Sequence, residues 1–274
     1  MERTIIYLHG FGSTSQSGTV RHLRKIFPKI NVQAPDIPVN PSEALPFLKK
    51  YCEDYHPSLI IGTSMGGMYA MQMSDYKRLC VNPALRMSEL TDILKPGTFE
   101  YFQPTQNGKT HFTITEDTIQ QFRDMEAHLF DNVNDENRQW CWGFFGDEDT
   151  TVNCREEFEQ YFTPNVKSFP GGHRMNNRII DEWILPFVED LLECRNSRYE
   201  TGDRVKFKSV EPSLNQRRFS KDTKIKSAEY IGVIQNVCTI ARGLYTYVIE
   251  TTPAHWICTV PEGEIIEKLL DEQK

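Results

Sequence analysis

The feature that most constrains the fold is the alternation of short apolar runs with helix-like segments between residue 4 and about residue 194. The apolar runs are mostly continuous, which is typical of strands covered on both faces. Strands that alternate with helices predict βαβ units and a mostly parallel sheet. The predicted strands are TIIYLHG, INVQAPDI, SLIIGTS, RLCVNPA, QWCWGFFG and NVKSFPGG. The predicted helices are SEALPFLKKYCEDY, MGGMYAMQMSD, TEDTIQQFRDMEAHLF and, longest of all, NNRIIDEWILPFVEDLLE.

Two parts of the chain depart from this alternation. Residues 84–113 are rich in turn-forming and aromatic residues, which predicts a long irregular insertion serving either as a lid or as cover for the core. Beyond residue 200, short period-2 segments rich in β-branched and aromatic residues predict a small SH3-like β-barrel. Within it, the basic stretch 211–226 predicts an exposed loop. We therefore expect two domains, over residues 1–194 and 200–274.

The composition narrows the class of protein. The formal net charge of −7 argues against a surface that binds nucleic acid. The seven cysteines are odd in number and show no CxxC spacing, so we expect neither disulfides nor a zinc site, and no metal or cofactor. The N-terminus lacks a signal-peptide pattern, and no apolar run approaches the roughly 18 residues of a membrane span. The expectation is a cytoplasmic protein that does not associate with membranes.

The segment IIGTSMGGMYA places Ser64 between Gly62 and Gly66, where an apolar run passes directly into helix-forming residues. A GxSxG pattern between a strand and a helix is the signature of a nucleophile elbow, which exposes the serine hydroxyl beyond the sheet. The glycines allow the strand and the helix to pass closely. The helix N-terminus favours negative charge that develops beside it. The alternative is that Ser64 only caps the helix.

A serine hydroxyl becomes a good nucleophile only when a base removes its proton and an acid orients that base. His173, in FPGGHRM, follows the last predicted strand and is the candidate base. Asp149, in FFGDEDTTV, follows the strand before it and is the candidate acid, with Asp147 as a second candidate. The order Ser64, Asp149, His173 is that of α/β-hydrolases. Since each residue follows a strand, all three can meet at the carboxyl edge of one sheet.

The segment YLHGFGS, directly after the first predicted strand, is the candidate oxyanion turn. Two backbone N–H groups are needed there, each worth about 3 kcal/mol in the transition state. Met65, which follows the nucleophile, supplies one, and Phe11 is the candidate for the second because Gly10 lets the turn approach closely. His9 is expected to tie loops together rather than to take part in catalysis.

Five segments in this order resemble the small YqiA-type esterases of the α/β-hydrolase superfamily, over about residues 3–192: YLHGFGSTSQS, IIGTSMGG, CVNPALR, FFGDEDTTV and GGHR. The resemblance implies an α/β-hydrolase fold and metal-free hydrolysis of short acyl esters. It also implies Ser64 as nucleophile, Asp149 as acid, His173 as base, and Phe11 and Met65 at the oxyanion hole. The acid segment is closer to hydrolases in general than to this branch, and the branch usually lacks the C-terminal tail.

The function predicted from these observations is hydrolysis of small carboxylic esters or thioesters through an acyl-Ser64 intermediate. An acyltransferase would differ only in whether water or an alcohol attacks that intermediate. The alternative from another class is a non-catalytic binding protein on a hydrolase scaffold, in which the β-barrel binds a ligand or partner. Three catalytic groups in hydrolase order argue against the binding protein, since binding alone requires none of them.

Overall fold

The computed structural model describes residues 3–192, 199–210, 227–241 and 244–269. The chain divides into two compact units, Met1–Leu192 and Glu193–Lys274, which are described separately. Cys194 and the segment 211–226, predicted as an exposed basic loop, lie outside the described residues.

The first unit is built on a six-stranded parallel sheet with two further strands in a hairpin. Its strands are β1 (Thr4–Leu8), β2 (Asn31–Gln33), β3 (Leu59–Thr63), β4 (Arg78–Val81), β5 (Gly97–Glu100), β6 (His111–Ile114), β7 (Cys141–Gly146) and β8 (Val166–Phe169). The sheet has the order β2-β1-β3-β4-β7-β8, and every neighbouring pair is parallel. The carboxyl ends of β1, β3, β7 and β8 therefore lie along one edge, and the candidate catalytic segments follow these ends.

Helices cover the sheet, and its central strands are completely buried. The helices are α1 (Gly18–Ile26), α2 (Pro41–Tyr55), α3 (Met65–Met71), α4 (Glu116–Glu126), α5 (Arg155–Phe162), α6 (Asn177–Ile179) and α7 (Leu185–Leu191). Ile5 and Ile6 of β1 and Ile60 and Ile61 of β3 are fully excluded from solvent. Burying each such side chain stabilises the fold by about 1.5–3 kcal/mol. This burial explains why the strands read as continuous apolar runs.

The longest predicted helix is interrupted. The segment 177–191 begins with the short helix α6, continues as a π-helical turn at Ile180–Ile184, and only then becomes α7. Pro186, in the first turn of α7, has no N–H to donate to the carbonyl four residues earlier, so an uninterrupted α-helical hydrogen-bond ladder cannot run through it.

The predicted irregular insertion contains regular structure. Residues 84–113 include a 3₁₀ turn at Met87–Glu89 and most of an antiparallel hairpin of β5 and β6, in which Phe99 lies opposite Phe112. Phe112 and Ile114 are buried while His111 and Thr113 are exposed. Four residues of period-2 alternation are enough to form this strand but too few to distinguish it from a loop in the sequence.

The second unit is an antiparallel all-β sheet. Its strands are β9 (Arg204–Val210), β10 (Ser227–Ala241), β11 (Leu244–Thr252), β12 (Ile257–Pro261) and β13 (Ile265–Lys268). They pair in the order β12-β11-β10-β9-β13. The core of this unit consists of side chains from all five strands: Val205, Phe207, Ile234, Tyr247, Ile249, Val260 and Ile265. The predicted fold class is confirmed: an α/β-hydrolase fold with a mostly parallel sheet flanked by helices, followed by an all-β unit.

Among the described residues, none of the helices combines the length and the apolar character required to cross a membrane.

Candidate active site

Ser64 lies at the sharp turn between β3 and α3. Its backbone angles are φ 54° and ψ −122°, an unusual conformation for a residue with a side chain. Such strain costs on the order of 1–3 kcal/mol and persists only where the surroundings impose it. Here the Ser64 N–H donates to the carbonyl of Val81 at 3.0 Å, and the Ser64 carbonyl accepts from the N–H of Ala84 at 3.0 Å. The end of β4 and the residues after it therefore hold the strained serine in place.

Gly62 and Gly66 are required by this geometry. A Cβ atom on Gly62 would lie 2.1 Å from the carbonyl oxygen of Gly66, and one on Gly66 would lie 2.1 Å from the carbonyl oxygen of Leu8. Both distances are far inside van der Waals contact, so no side chain fits at either position. The glycines let α3 start directly against β3 and β1, which brings Ser64 next to the turn that follows β1.

The side chains of Ser64, His173 and Asp149 form a continuous hydrogen-bonded chain. Nε2 of His173 lies 3.0 Å from Oγ of Ser64, and Nδ1 of His173 lies 2.8 Å from Oδ2 of Asp149. A carboxylate can only accept, so Nδ1 carries the proton, and in the neutral imidazole Nε2 is then free to accept from the serine hydroxyl. The His173 side chain is 19% exposed and that of Asp149 is 5% exposed. The His173 imidazole is therefore accessible from solvent, while the Asp149 carboxylate is shielded from water.

The Asp149 carboxylate is itself held by the backbone that follows it. Its Oδ1 accepts from the N–H of Thr151 at 2.8 Å and of Val152 at 3.0 Å, which leaves Oδ2 directed to His173. Asp147, the second candidate acid, is exposed, and the carboxylate in contact with His173 is that of Asp149.

Asn82 is a site residue to which the sequence reasoning gave no role. It follows β4, is 1% exposed and has φ 43°. Its Nδ2 donates to the carbonyls of Gly172 and His173, each at 3.1 Å, and its Oδ1 accepts from the N–H of Gly146 at 2.7 Å. The Asn82 amide thus joins the end of β7 to the loop that carries His173. The only signal in the sequence was an asparagine, a residue that tolerates positive φ, directly after a buried strand.

Phe11 and Met65, the two candidate oxyanion-hole residues, have backbone N–H groups that are free to donate. Within the described part of the chain, neither backbone N–H has a hydrogen-bond partner, and that of Met65 is at the first position of α3, where a helix leaves it free. A Cβ atom on Gly10 would lie 3.3 Å from Cβ of Ser64, so the turn that carries Phe11 runs directly beside the nucleophile.

His9 connects this turn to the segment after β2, in agreement with the structural role expected for it. It is 3% exposed; its Nδ1 donates to the carbonyl of Gly10 at 2.9 Å, and its Nε2 accepts from the N–H of Ile37 at 3.2 Å. Burial is the main cause that lowers the pKa of His9 below 6.5, so the ring is neutral near pH 7.

The insertion is fastened to the oxyanion turn. Asp36 bridges the two, because its carboxylate accepts from the N–H of Ser15 at 2.8 Å and from that of Gln106 at 2.7 Å. The Phe11 ring packs edge-on against Phe112 of the hairpin, with 5.3 Å between ring centroids. Aromatic residues of the insertion therefore contact the turn that carries Phe11 as well as covering the core.

The cysteines near the sheet are packing residues. Cys80 and Cys141 are fully buried with their sulfur atoms 3.9 Å apart, and Cys154 is buried as well. Burial raises the pKa of the Cys80 and Cys154 thiols, which disfavours the reactive thiolate.

Several solved structures are similar to this chain. Est1E from Butyrivibrio proteoclasticus, bound to ferulic acid, has 14% sequence identity; the match covers 70% of this chain and 90% of Est1E, with a TM-score of 0.48. The esterase domain of a Rhodothermus marinus protein has 16% sequence identity; the match covers 69% of this chain and 87% of that domain, with a TM-score of 0.48. A soluble variant of monoglyceride lipase from Saccharomyces cerevisiae, in complex with a substrate analogue, has 11% sequence identity. The match covers 70% of this chain and 87% of the lipase chain, with a TM-score of 0.46.

The amino-acid sequence also matches a protein family over residues 4–167, which is more than half of the chain and includes Ser64, Asn82 and Asp149. The match ends before His173. It confirms the family resemblance drawn from the ordered motifs. The chain belongs to the uncharacterised protein family UPF0227.

Proposed function

We propose that the protein is a serine hydrolase that cleaves small carboxylic esters or thioesters. In this proposal Ser64 is the nucleophile, His173 the general base, Asp149 the acid that orients it, and the N–H groups of Phe11 and Met65 the oxyanion hole. The observation that carries the proposal is the hydrogen-bonded chain from Ser64 Oγ through His173 to Asp149.

In acylation, Ser64 Oγ attacks the carbonyl carbon while its proton passes to Nε2 of His173. The carbonyl electron pair moves to oxygen, and the resulting oxyanion accepts hydrogen bonds from Phe11 and Met65. When the carbonyl re-forms, the bond to the leaving oxygen or sulfur breaks, and Nε2 returns the proton to that atom. The imidazolium formed in between is stabilised by the buried Asp149 carboxylate.

In deacylation, a water molecule repeats the sequence on the acyl-Ser64 ester. Nε2 of His173 takes a proton from the water, the tetrahedral intermediate collapses, and Ser64 recovers its proton as the carboxylic acid leaves. An alcohol in place of water would give acyl transfer by the same steps. All groups needed come from the chain itself, so the proposed reaction involves no metal or cofactor.

We also propose that residues 1–194 form the catalytic domain and that residues 200–274 form an SH3-like barrel that binds a ligand or partner. Five antiparallel strands with a shared apolar core support the barrel, since β13 returns to pair with β9. A non-catalytic binding protein is the weaker reading of the whole chain, because binding does not require an oriented Ser64–His173–Asp149 chain.

We further propose a cytoplasmic location. The six described cysteines are all free thiols, which suits a reducing compartment.

The proposal is tested by hydrolysis of nitrophenyl esters of increasing acyl-chain length. Wild-type protein is expected to release nitrophenol, and Ser64→Ala is expected to abolish release while the melting temperature stays close to that of the wild type. Ser74→Ala, which changes a serine after α3 outside the site, is the matched control. Hydrolysis that survives in Ser64→Ala would overturn the assignment of the nucleophile.

A further inference from the structure

We propose that Arg174 binds an oxyanionic group, such as a carboxylate, on the leaving alcohol or thiol of the substrate, and that Phe102 packs against the spacer that carries this group. This inference rests on the proposed hydrolase function and adds the substrate class. It is carried by the contact between a cation and an exposed aromatic ring beside the proposed catalytic residues.

Arg174 is placed by its neighbour in the chain. It follows His173 directly, so the loop that presents the base also presents the guanidinium. The Arg174 guanidinium carbon lies 6.0 Å from the centroid of the Phe102 ring, within the range of a cation–π contact. Arg174 therefore extends from the base loop towards the insertion.

Phe102 is held against the turn that carries Phe11. The Phe102 N–H donates to the carbonyl of Gly12 at 2.8 Å, and a Cβ atom on Gly12 would lie 3.5 Å from the ring. The hydrogen bond from Thr14 Oγ1 to the Pro104 carbonyl and the Asp36 bridge fix the same segment. Despite this firm anchoring, Phe102 is 67% exposed, which leaves most of a large apolar side chain in contact with water. A substrate that covered this surface would gain hydrophobic burial.

The N–H donors of Arg174 have no acceptor within the part of the chain that the structure describes. Among the described residues, no hydrogen bond or ion pair involves its guanidinium, whereas Arg86, Arg155 and Arg178 each pair with a glutamate. Asp147 and Glu148 are exposed on the neighbouring acid loop, but neither is within 4.0 Å of Arg174. A cation–π contact requires no acceptor, so the N–H groups of Arg174 can bind a carboxylate in bidentate fashion.

The leaving side of the ester lies nearer to Arg174 than the acyl side does. In the proposed reaction Nε2 of His173 donates its proton to the leaving oxygen or sulfur, so this atom must lie within hydrogen-bond distance of the base. Arg174 is the next residue in the chain. An anionic group a few bonds beyond the leaving atom would therefore meet the guanidinium, and an aromatic or aliphatic spacer would cover Phe102.

The test compares two butyrate esters with the same acyl group, one of 4-hydroxybenzoate and one of the neutral 4-hydroxybenzamide. The quantity measured is the ratio of kcat/KM for the anionic ester to that for the neutral ester. Arg174→Gln is expected to lower this ratio about tenfold, as loss of a hydrogen bond to a charged group predicts. Arg174→Lys is expected to retain part of the wild-type preference for the anionic ester. Arg178→Gln, which removes another exposed arginine four residues after Arg174 in the chain, is the matched control and should leave the ratio unchanged.

If Arg174→Gln lowers kcat/KM equally for both esters, or changes neither value, the ratio stays the same. That result would overturn the anion site while leaving the hydrolase proposal standing. A wild-type protein that hydrolyses neither ester and is not labelled at Ser64 by a fluorophosphonate would overturn both. Raised salt supplies a second readout, because an exposed ion pair is screened: the ratio should fall with ionic strength in the wild type and much less in Arg174→Gln.

Discussion

The residue with the clearest positioning role outside the proposed triad is Asn82. Its amide satisfies one N–H and two carbonyl groups of the loops that carry Asp149 and His173. These loops also approach closely at Gly146, where a Cβ atom would lie 2.3 Å from the carbonyl oxygen of Gly171. The distance between Asp149 and His173 is therefore fixed partly by a side chain that contacts neither of them at its reacting atoms.

Asn82→Ala is expected to lower kcat for a neutral ester about 100-fold with little change in KM, because small displacements of catalytic groups have effects of this size. Asn82→Asp should be similarly impaired, since a carboxylate cannot donate to the carbonyls of Gly172 and His173. Steady-state kinetics on the neutral ester measure kcat and KM for both Asn82 variants. Leu79→Ala, a buried substitution in β4, controls for lost stability, and equal kcat losses in Leu79→Ala and Asn82→Ala at matched melting temperature would refute a positioning role.

The two candidate acids are expected to differ sharply. Asp149→Asn should reduce kcat by about 10⁴, because the wrong tautomer of His173 is then favoured. Asp147→Asn should have a much smaller effect, since Asp147 is exposed and Asp149 is the residue hydrogen-bonded to His173. Kinetics of the two variants on one ester decide the matter, and a larger loss from Asp147→Asn would reverse the assignment.

Much of the site could be anticipated from the sequence, because Ser64, Asp149 and His173 each follow a separate apolar strand run. Parallel strands bring such positions to one edge, and in the structure these side chains lie within hydrogen-bond distance. Asn82 and Asp36 could not be anticipated. Their partners are backbone groups of loops distant in the chain, and no spacing in the sequence reports such contacts.

At the scale of elements, the strands of the parallel sheet were predictable and the interruptions were not. Full burial on both faces makes β1, β3 and β4 continuous apolar runs. The π-helical turn at Ile180–Ile184 falls within a segment whose apolar spacing looks helical throughout, with Pro186 as the only signal. The hairpin of β5 and β6 is too short for its alternation to stand out among turn residues.

His9 links the turn after β1 to the segment between β2 and α2, and this connection should depend on pH. Burial lowers its pKa in the folded state, whereas in the unfolded chain the ring takes up a proton near pH 6.5. The unfolded state therefore binds more protons than the folded state as the pH falls below 6.5. His9 should make its full contribution to the free energy of unfolding above pH 6.5 and lose it as the pH decreases through the folded-state pKa.

Melting temperatures measured from pH 8 to pH 5 check this expectation. His9→Asn should flatten the dependence, while His128→Asn, at an exposed histidine paired with Asp131, should change it little. An unchanged slope in His9→Asn would show that another group controls the acid sensitivity.

At the scale of the whole molecule, the proposed chemistry is confined to the first unit. Every proposed catalytic group precedes residue 174, and the last helix of the unit buries Leu185 and Val188 in its own core. A chain truncated at Asn196, a position outside the described residues, is therefore expected to fold and to hydrolyse a short-chain ester at a rate similar to that of the full chain. Turnover and melting temperature of both proteins test this, and a truncated protein that is folded but inactive would show that the second unit completes the site.

The central claim is that Ser64 is an activated nucleophile, and labelling with a fluorophosphonate followed by peptide mass spectrometry tests it most directly. One covalent adduct is expected on the peptide that contains Ser64, with labelling lost in Ser64→Ala and strongly slowed in His173→Ala. Labelling that is undiminished in Ser64→Ala, or a folded wild-type protein that does not react at all, would contradict it.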